Sequence, residues 1–206
     1  MTIRVHHLKI SRSTRIIWLM EELGLPYDLV EHTRGADFRS PPSLYDVHPL
    51  GKAPAVEIDG RTMVESSAII EHIVDKYGAG QLLPPVSQRA EYVEWLHFAE
   101  GTLGMPMLMR LLGPRLGLPD AALGWMDAEL KKQLDWIESQ LEGKAFLCGA
   151  TFTGADINLE YLLEHAEVLG QLESRPNLTR YLAALKARPA YIKAIEIGGP
   201  ITLPRS

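Results

Sequence analysis

A single cysteine, Cys148, in a chain of 206 residues leaves no internal disulfide and no Cys-x-x-Cys site. Apolar runs are short as well, none approaching the ~18 residues needed to span a bilayer. The opening Met-Thr-Ile-Arg-Val-His-His has neither the apolar stretch nor the cleavage site of a secretory signal. A soluble cytoplasmic protein is expected. No excess of one charge sign appears either: the net charge is −5, with 9 basic and 11 acidic side chains in residues 1–80 and 12 and 15 in the remainder. That even spread argues against nucleic acid and anionic membrane as partners. The seven histidines lack His-x-x-x-His spacing, so no metal is expected. Gly-x-Gly-x-x-Gly and other phosphate loops are absent, as are repeats and low-complexity segments. What remains, 46% hydrophobic and 23% charged, is enough for one large or two modest domains.

The two halves are patterned differently. Ile3 to Leu8 reads as a short strand, and Ser11-Arg-Ser-Thr supplies cap candidates for a helix that runs to Leu23 and stops at Gly24. Tyr27-Asp-Leu-Val-Glu is a second strand. An irregular stretch from His32 to Pro49 follows, with room for one helical turn. Two short apolar runs split by Asp59-Gly60 then predict a hairpin with a primed turn, because both central positions need positive φ. A helical pattern from Ala68 to Tyr77 closes the half. The order β-α-β-loop-β-β-α suits a four-stranded mixed sheet covered by short helices, in a domain of residues 1–80. Gly78 to Pro85 has glycine and proline but no periodicity, which places a linker at 81–87. From Ser87 on every segment fits a helix, giving an all-α domain over 88–206 with helices near 88–112, 120–142, 154–169, 176–187 and 190–196. Leu123, Met126, Leu130, Leu134, Ile137 and Leu141 step by three and four along one face of the second of them.

The stretch Pro49-Leu-Gly-Lys-Ala-Pro-Ala-Val carries binding chemistry at both ends of the hairpin unit it opens. A proline after a flexible Gly-Lys-Ala segment can hold the main chain of Ala53 open, in an extended or cis arrangement, for pairing with a peptide-like ligand. At the far end Ser66 and Ser67 open a helix, whose free N–H groups and dipole favour a carboxylate. Lys52 adds a positive charge. Together they suit a small peptide with a carboxylate at each end. The plain structural readings are a common turn, an ordinary N-cap and a solvated lysine. Farther on, Phe152-Thr153-Gly-Ala-Asp156-Ile157 combines a capping box (Thr153, Asp156) with a hydrophobic staple (Phe152, Ile157), a structural device.

Taken together, these features resemble the glutathione S-transferase superfamily: the strand-helix order, the loop proline Pro54, Glu65-Ser66, the Gly-Pro linker, the helical half and the cap near residue 153. The opening Ser11-Arg-Ser13-Thr-Arg15 is similar to its serine-type bacterial and fungal branches, since the tyrosine-type branches place Tyr where this chain has His6, His7 and Leu8. The resemblance implies a thioredoxin-like N-terminal domain that binds glutathione and an all-α C-terminal domain that supplies the electrophile pocket. It implies that Glu65 and Ser66 hold the γ-glutamyl end, that Ala53 before a cis Pro54 pairs with the cysteinyl moiety, and that Lys52 faces the glycine carboxylate. Where the family often has Asn before the loop proline, this chain has His48, which puts that local turn in question. A homodimer and a role in detoxification are expected on the same ground, with Glu100 a candidate to reach a neighbouring subunit's glutathione.

Ser11 is the expected catalytic residue. A free thiol has a pKa near ~8.5 and only its thiolate is nucleophilic. Between the first strand and the first helix, the Ser11 hydroxyl can donate a hydrogen bond to sulfur while the helix terminus adds positive potential. A shift of two units needs about 2.7 kcal/mol of preferential thiolate stabilisation. Ser13 fits the N-cap position better, which leaves Ser11 one turn back and free. Cys148 reads as core. Met105, Met107 and Met109, with Trp125, are candidates for the acceptor pocket, with helix core as the competing reading. The leading function is conjugation of the glutathione thiolate to small apolar electrophiles, with hydroperoxide reduction beside it. A glutathione-dependent isomerase or dehalogenase shares the whole glutathione site, and a non-catalytic glutathione-binding module shares the fold.

Overall fold

In the computed structural model, which describes residues 2–35 and 39–201, the chain forms two compact units. The first comprises the residues up to Gln81 together with those from Lys186 onward, and the second runs from Leu82 to Leu185. The first division, between Gln81 and Leu82, falls within the glycine- and proline-bearing stretch 78–85. The far boundary differs from expectation, because the last helix groups with the first unit and not with the helical one.

The first unit is built on a mixed sheet in the order β2-β1-β3-β4, with β1 Arg4–Leu8, β2 Asp28–His32, β3 Ala55–Ile58 and β4 Arg61–Val64. β1 runs parallel to β2 and antiparallel to β3, which is antiparallel to β4. The Asp59-Gly60 turn has φ of 54° and 76°, the positive pair a primed hairpin turn requires. Asp59 also ties this turn to the helix that follows, accepting from His72 Nε2 and Lys76 Nζ at 2.8 Å each and from the Tyr77 hydroxyl. Those three donors, Lys76 foremost, hold its carboxyl well below the usual range.

α1 (Thr14–Leu23) and α3 (Ser66–Tyr77) flank the short α2 (Pro42–Tyr45) in sequence. α1 ends on Gly24 at φ 62°, with Leu25 N–H bonded to the Met20 carbonyl at 3.1 Å, the left-handed stop that glycine permits. Ile16, Ile17, Leu19 and Met20 of α1 are fully buried, as are Ile69, Ile70 and Ile73 of α3, and α1 packs on β1 and on α3. α9 (Pro189–Gly198) packs on α1, with Trp18 edge-on to Tyr191 and Arg188 paired with Glu22 at 2.6 Å. Successive strand residues face opposite sides, so Val5 and His7 look toward α1 and α9 while His6 looks the other way. There His6 Nδ1 meets His32 Nε2 at 3.0 Å, its Nε2 meets Glu57 at 2.9 Å, and His32 Nδ1 meets Ser43 of α2 at 2.8 Å. This chain anchors α2 and the loop beyond it to the sheet.

The second unit is helical, with one exception to the expectation of helix throughout: residues 146–151 form two short antiparallel bridges, Phe146 with Gly149 and Cys148 with Thr151. The helix expected over 88–112 is divided into α4 (Arg89–Phe98), a π-helical turn (Ala99–Leu103) and α5 (Gly104–Leu112). Pro106 cannot donate to a carbonyl one turn back, and the ladder gives way in the wider turn just before it. α6 (Asp120–Gln140) carries the six-residue apolar stripe, but only Leu130, Leu134 and Ile137, with Leu141 just past the helix, are fully buried. Leu123 and Met126 are half-exposed. α7 (Gly154–Val168) is buried on nearly every side and starts at the capping box, and α8 (Pro176–Lys186) follows.

Candidate functional site

Strand register brings one end of the sheet together. Ala55, the first residue of β3, lies opposite His6 of β1 and Val64 of β4. Continuing these antiparallel pairings by two residues puts Pro54 and Ala53 beside the C-terminal end of β1, where the chain leaves for Ser11. It also puts Glu65 and Ser66, which follow β4, at the same end. The Ser11 loop, the loop proline and the start of α3 therefore converge although they are far apart in sequence.

The Ser11 loop is held in an unusual shape. Ile10 has φ of 55°, a left-handed conformation that costs a branched residue about 1–2 kcal/mol. Arg34 fastens it, its Nη2 donating to the Ile10 carbonyl at 2.7 Å and its Nε to the Lys9 carbonyl at 3.1 Å. Ser13 is already helical at φ −67° and ψ −21° and makes no side-chain cap, contrary to its expected N-cap role. Its hydroxyl turns back to β1 instead: Oγ lies 2.8 Å from His7 Nδ1 and accepts the Leu8 N–H at 3.1 Å. Nor is Ser11 free. Its Oγ is 2.7 Å from Ser13 Oγ and accepts the Ser13 N–H at 3.2 Å, so the hydroxyl is engaged within its own loop.

At the loop proline the Ala53–Pro54 bond is cis. Pro54 is buried, Ala53 half-buried and Lys52 exposed. Gly51 has φ of 55°, which favours glycine, and a Cβ there would stand 2.5 Å from the Tyr45 ring, which would have to move aside. In the same turn His48 Nδ1 accepts the Leu50 N–H at 3.3 Å. Glu65, exposed at φ 70° and ψ 107°, precedes Ser66, the first residue of α3. Ser66 is 3% exposed and its hydroxyl receives Arg15 Nη1 at 2.9 Å.

The four candidates for the acceptor pocket do not share one wall. Met107 is core, 1% exposed, whereas Met105 and Trp125 are 59% and 60% exposed and Met109 is half-buried. Met105 and Met107 thus lie on different faces of α5. Cys148 is buried, and burial pushes its thiol up to about 12. Among the described residues no group of three or more His, Cys, Asp or Glu could hold a metal ion.

Two residues at this end were not singled out from sequence. Arg15 was noted only as part of an opening motif, and a charged residue on an apolar helix face gives no sign that it is 1% exposed beneath Ser66. His7 stood out only as a residue in place of tyrosine. Its Nε2 reaches the Gly198 carbonyl at 2.8 Å, 191 positions away, which local sequence cannot show.

A mixed four-stranded sheet with this convergence of loops, followed by a helical unit, defines the class of thioredoxin-like, two-unit proteins. Residues 5–81 match the family model described as glutathione S-transferase, N-terminal domain, and residues 124–184 match glutathione S-transferase, C-terminal domain. Glutathione S-transferase 3 of Schizosaccharomyces pombe is 35% identical over 211 residues, covering 93% of this chain and 86% of that protein. The crystal structure of a glutathione S-transferase from Actinobacillus pleuropneumoniae superposes with a TM-score of 0.86 at 34% identity, covering 95% of this chain and 92% of that one. A glutathione transferase family member from Pseudomonas fluorescens, solved with two glutathione bound, superposes at 0.79 with 26% identity, covering 94% and 92%. The chain belongs to the glutathione S-transferase family.

Proposed function

We propose that this glutathione transferase binds glutathione across the converged end of its sheet and uses the Ser11 hydroxyl to hold the sulfur as thiolate for attack on a small apolar electrophile. The convergence of Ser11, Ala53–Pro54 and Glu65–Ser66 through strand register is the observation that carries this reading. In it the main chain of Ala53 pairs with the cysteinyl moiety. Ser66, Glu65 and the first turn of α3 receive the γ-glutamyl group, and Lys52 faces the glycine carboxylate. Arg15, buried against Ser66, fixes that hydroxyl and adds positive charge beneath it. Ser11 acts by donating to the anion, with the α1 terminus reinforcing it, and never becomes the nucleophile. Serine-type chemistry, a homodimer and a cytoplasmic role in detoxification belong to the same proposal. Among the described residues no helix is long and apolar enough to cross a membrane.

The test is Ser11→Ala, with the thiolate absorbance of bound glutathione followed against pH. Loss of one hydrogen bond to a charged group, worth about 1.5–3 kcal/mol, raises the bound thiol's pKa by about one to two units and lowers conjugation of a reactive aryl halide at neutral pH in proportion. A titration that matches the parent protein would remove Ser11 from the mechanism.

A further inference from the structure

We propose that His7 is a positioning residue for the thiolate: acting through the Ser13 hydroxyl, its protonation decides which way the Ser11 proton points, so that proton binding at His7 and ionisation of the glutathione sulfur favour one another. This rests on the Ser11 assignment above.

Proton counting along the chain gives the argument. The Gly198 carbonyl can only accept, so His7 Nε2, 2.8 Å away, carries a hydrogen. A neutral His7 therefore has a bare Nδ1, and the Ser13 hydroxyl, 2.8 Å from it and 3.3 Å from its other acceptor, the Leu8 carbonyl, donates to the nearer nitrogen, which has no other donor. Ser13 has then used its only proton. Its oxygen accepts the Leu8 N–H at 3.1 Å and, across the 2.7 Å contact, the Ser11 hydroxyl. With neutral His7 every group is satisfied only if the Ser11 proton points inward, away from a ligand.

A thiolate asks Ser11 to point outward. If His7 stays neutral, either the short Ser11–Ser13 contact has no proton in it or Nδ1 has no donor, and the chain is one hydrogen bond short. If His7 is protonated, Nδ1–H donates to Ser13, Ser13 donates to Ser11, Ser11 donates to sulfur, and the Leu8 and Ser13 N–H groups keep their acceptors. The second arrangement is reached from the first by moving the thiol proton to Ser11, the Ser11 proton to Ser13 and the Ser13 proton to His7. No proton is exchanged with solvent, and thiol plus imidazole becomes thiolate plus imidazolium.

The surroundings of His7 fit a group that is neutral until the anion forms. Burial disfavours its charge and lowers its pKa in the free protein. Glu31 on β2 and the carbonyl end of α9 favour the charge, Lys9 and His32 oppose it, and α1 presents the Ser13 hydroxyl.

The experiment follows the His7 imidazole by NMR against pH in complexes with glutathione and with S-methylglutathione, which has no ionisable thiol, while absorbance reports the thiolate. His7 is expected to titrate about one pH unit higher in the glutathione complex, a tenfold gain in proton affinity, and linkage makes the gain reciprocal at sulfur. Ser13→Ala, which cuts the chain and leaves both ends in place, should abolish most of that difference and raise the bound thiol's pKa. Identical His7 titrations in the two complexes, with thiolate present in one, would overturn the coupling and leave Ser11 standing. A difference undiminished in Ser13→Ala would overturn the hydroxyl relay. Absence of thiolate absorbance would overturn the Ser11 assignment and this inference with it.

Discussion

Asp156→Asn changes one atom and removes an acceptor from the most crowded hydrogen-bond site in the helical unit. The fully buried carboxylate receives four donors: Leu147 N–H at 3.0 Å and the Tyr181 hydroxyl at 2.6 Å on one oxygen, and Thr153 N–H at 2.7 Å and the Thr153 hydroxyl at 2.9 Å on the other. Burial pushes the carboxyl's pKa up and the four donors pull it back. Asparagine keeps one acceptor oxygen. If that oxygen stays with Leu147 and Tyr181, the amide faces Thr153; the hydroxyl can rotate to accept, but the backbone N–H cannot. One buried N–H left without an acceptor costs about 1–3 kcal/mol, and two bonds lose their charge at roughly 1 kcal/mol each. Relief from burying a charge returns part of this, leaving a net loss near ~3 kcal/mol. A chain of 206 residues that unfolds as one shifts by about 2–4 °C per kcal/mol. The expected result is a melting temperature ~6–12 °C lower, with a matching fall in the urea midpoint at unchanged slope. A variant within about 0.5 kcal/mol of the parent would refute the view that this cap bears on stability through buried acceptors.

What could be read from the sequence follows how local each feature is. The Asp59-Gly60 hairpin, the Gly24 stop and the Thr153–Asp156 cap are each set by residues within a few positions, and each is found in the structure. The return of the chain to the first unit after Leu185 is not legible in the sequence, for the opposite reason. α9 looks like any other amphipathic helix, and what seats it are Gly198 on His7 and Arg188 on Glu22, contacts spanning more than 160 positions. The Ser11 loop shows the same limit at short range. Ser13 has the identity of an N-cap, yet a bare imidazole nitrogen on the neighbouring strand draws its hydroxyl back, and that turns Ser11 from a free group into a bound one. In the relay proposed above, the direction of each proton depends on a histidine and a carbonyl at opposite ends of the chain.

Two further predictions follow from buried groups. Cys148, its thiol pushed up to about 12 by burial, has on the order of one thiolate in 10⁴ at pH 8, so a thiol reagent should label the native protein negligibly and one site per chain in urea; stoichiometric native labelling would refute its place in the core. Acid should destabilise the unliganded protein through His7 and His32, both lowered by burial first, with His6 adding to the effect at His32. A lowered histidine takes up its proton more readily unfolded than folded, so stability is full above the unfolded value near ~6.5 and falls as pH drops below it, until the folded groups also protonate. Below pH ~6.5 the slope is at most ~1.4 kcal/mol per pH unit for each histidine, or about 2.7 for both. Urea midpoints measured across that window should fall steadily. A flat profile would mean that the two rings accept protons in place, with hydrogen-bonded neighbours reversing their direction at no cost.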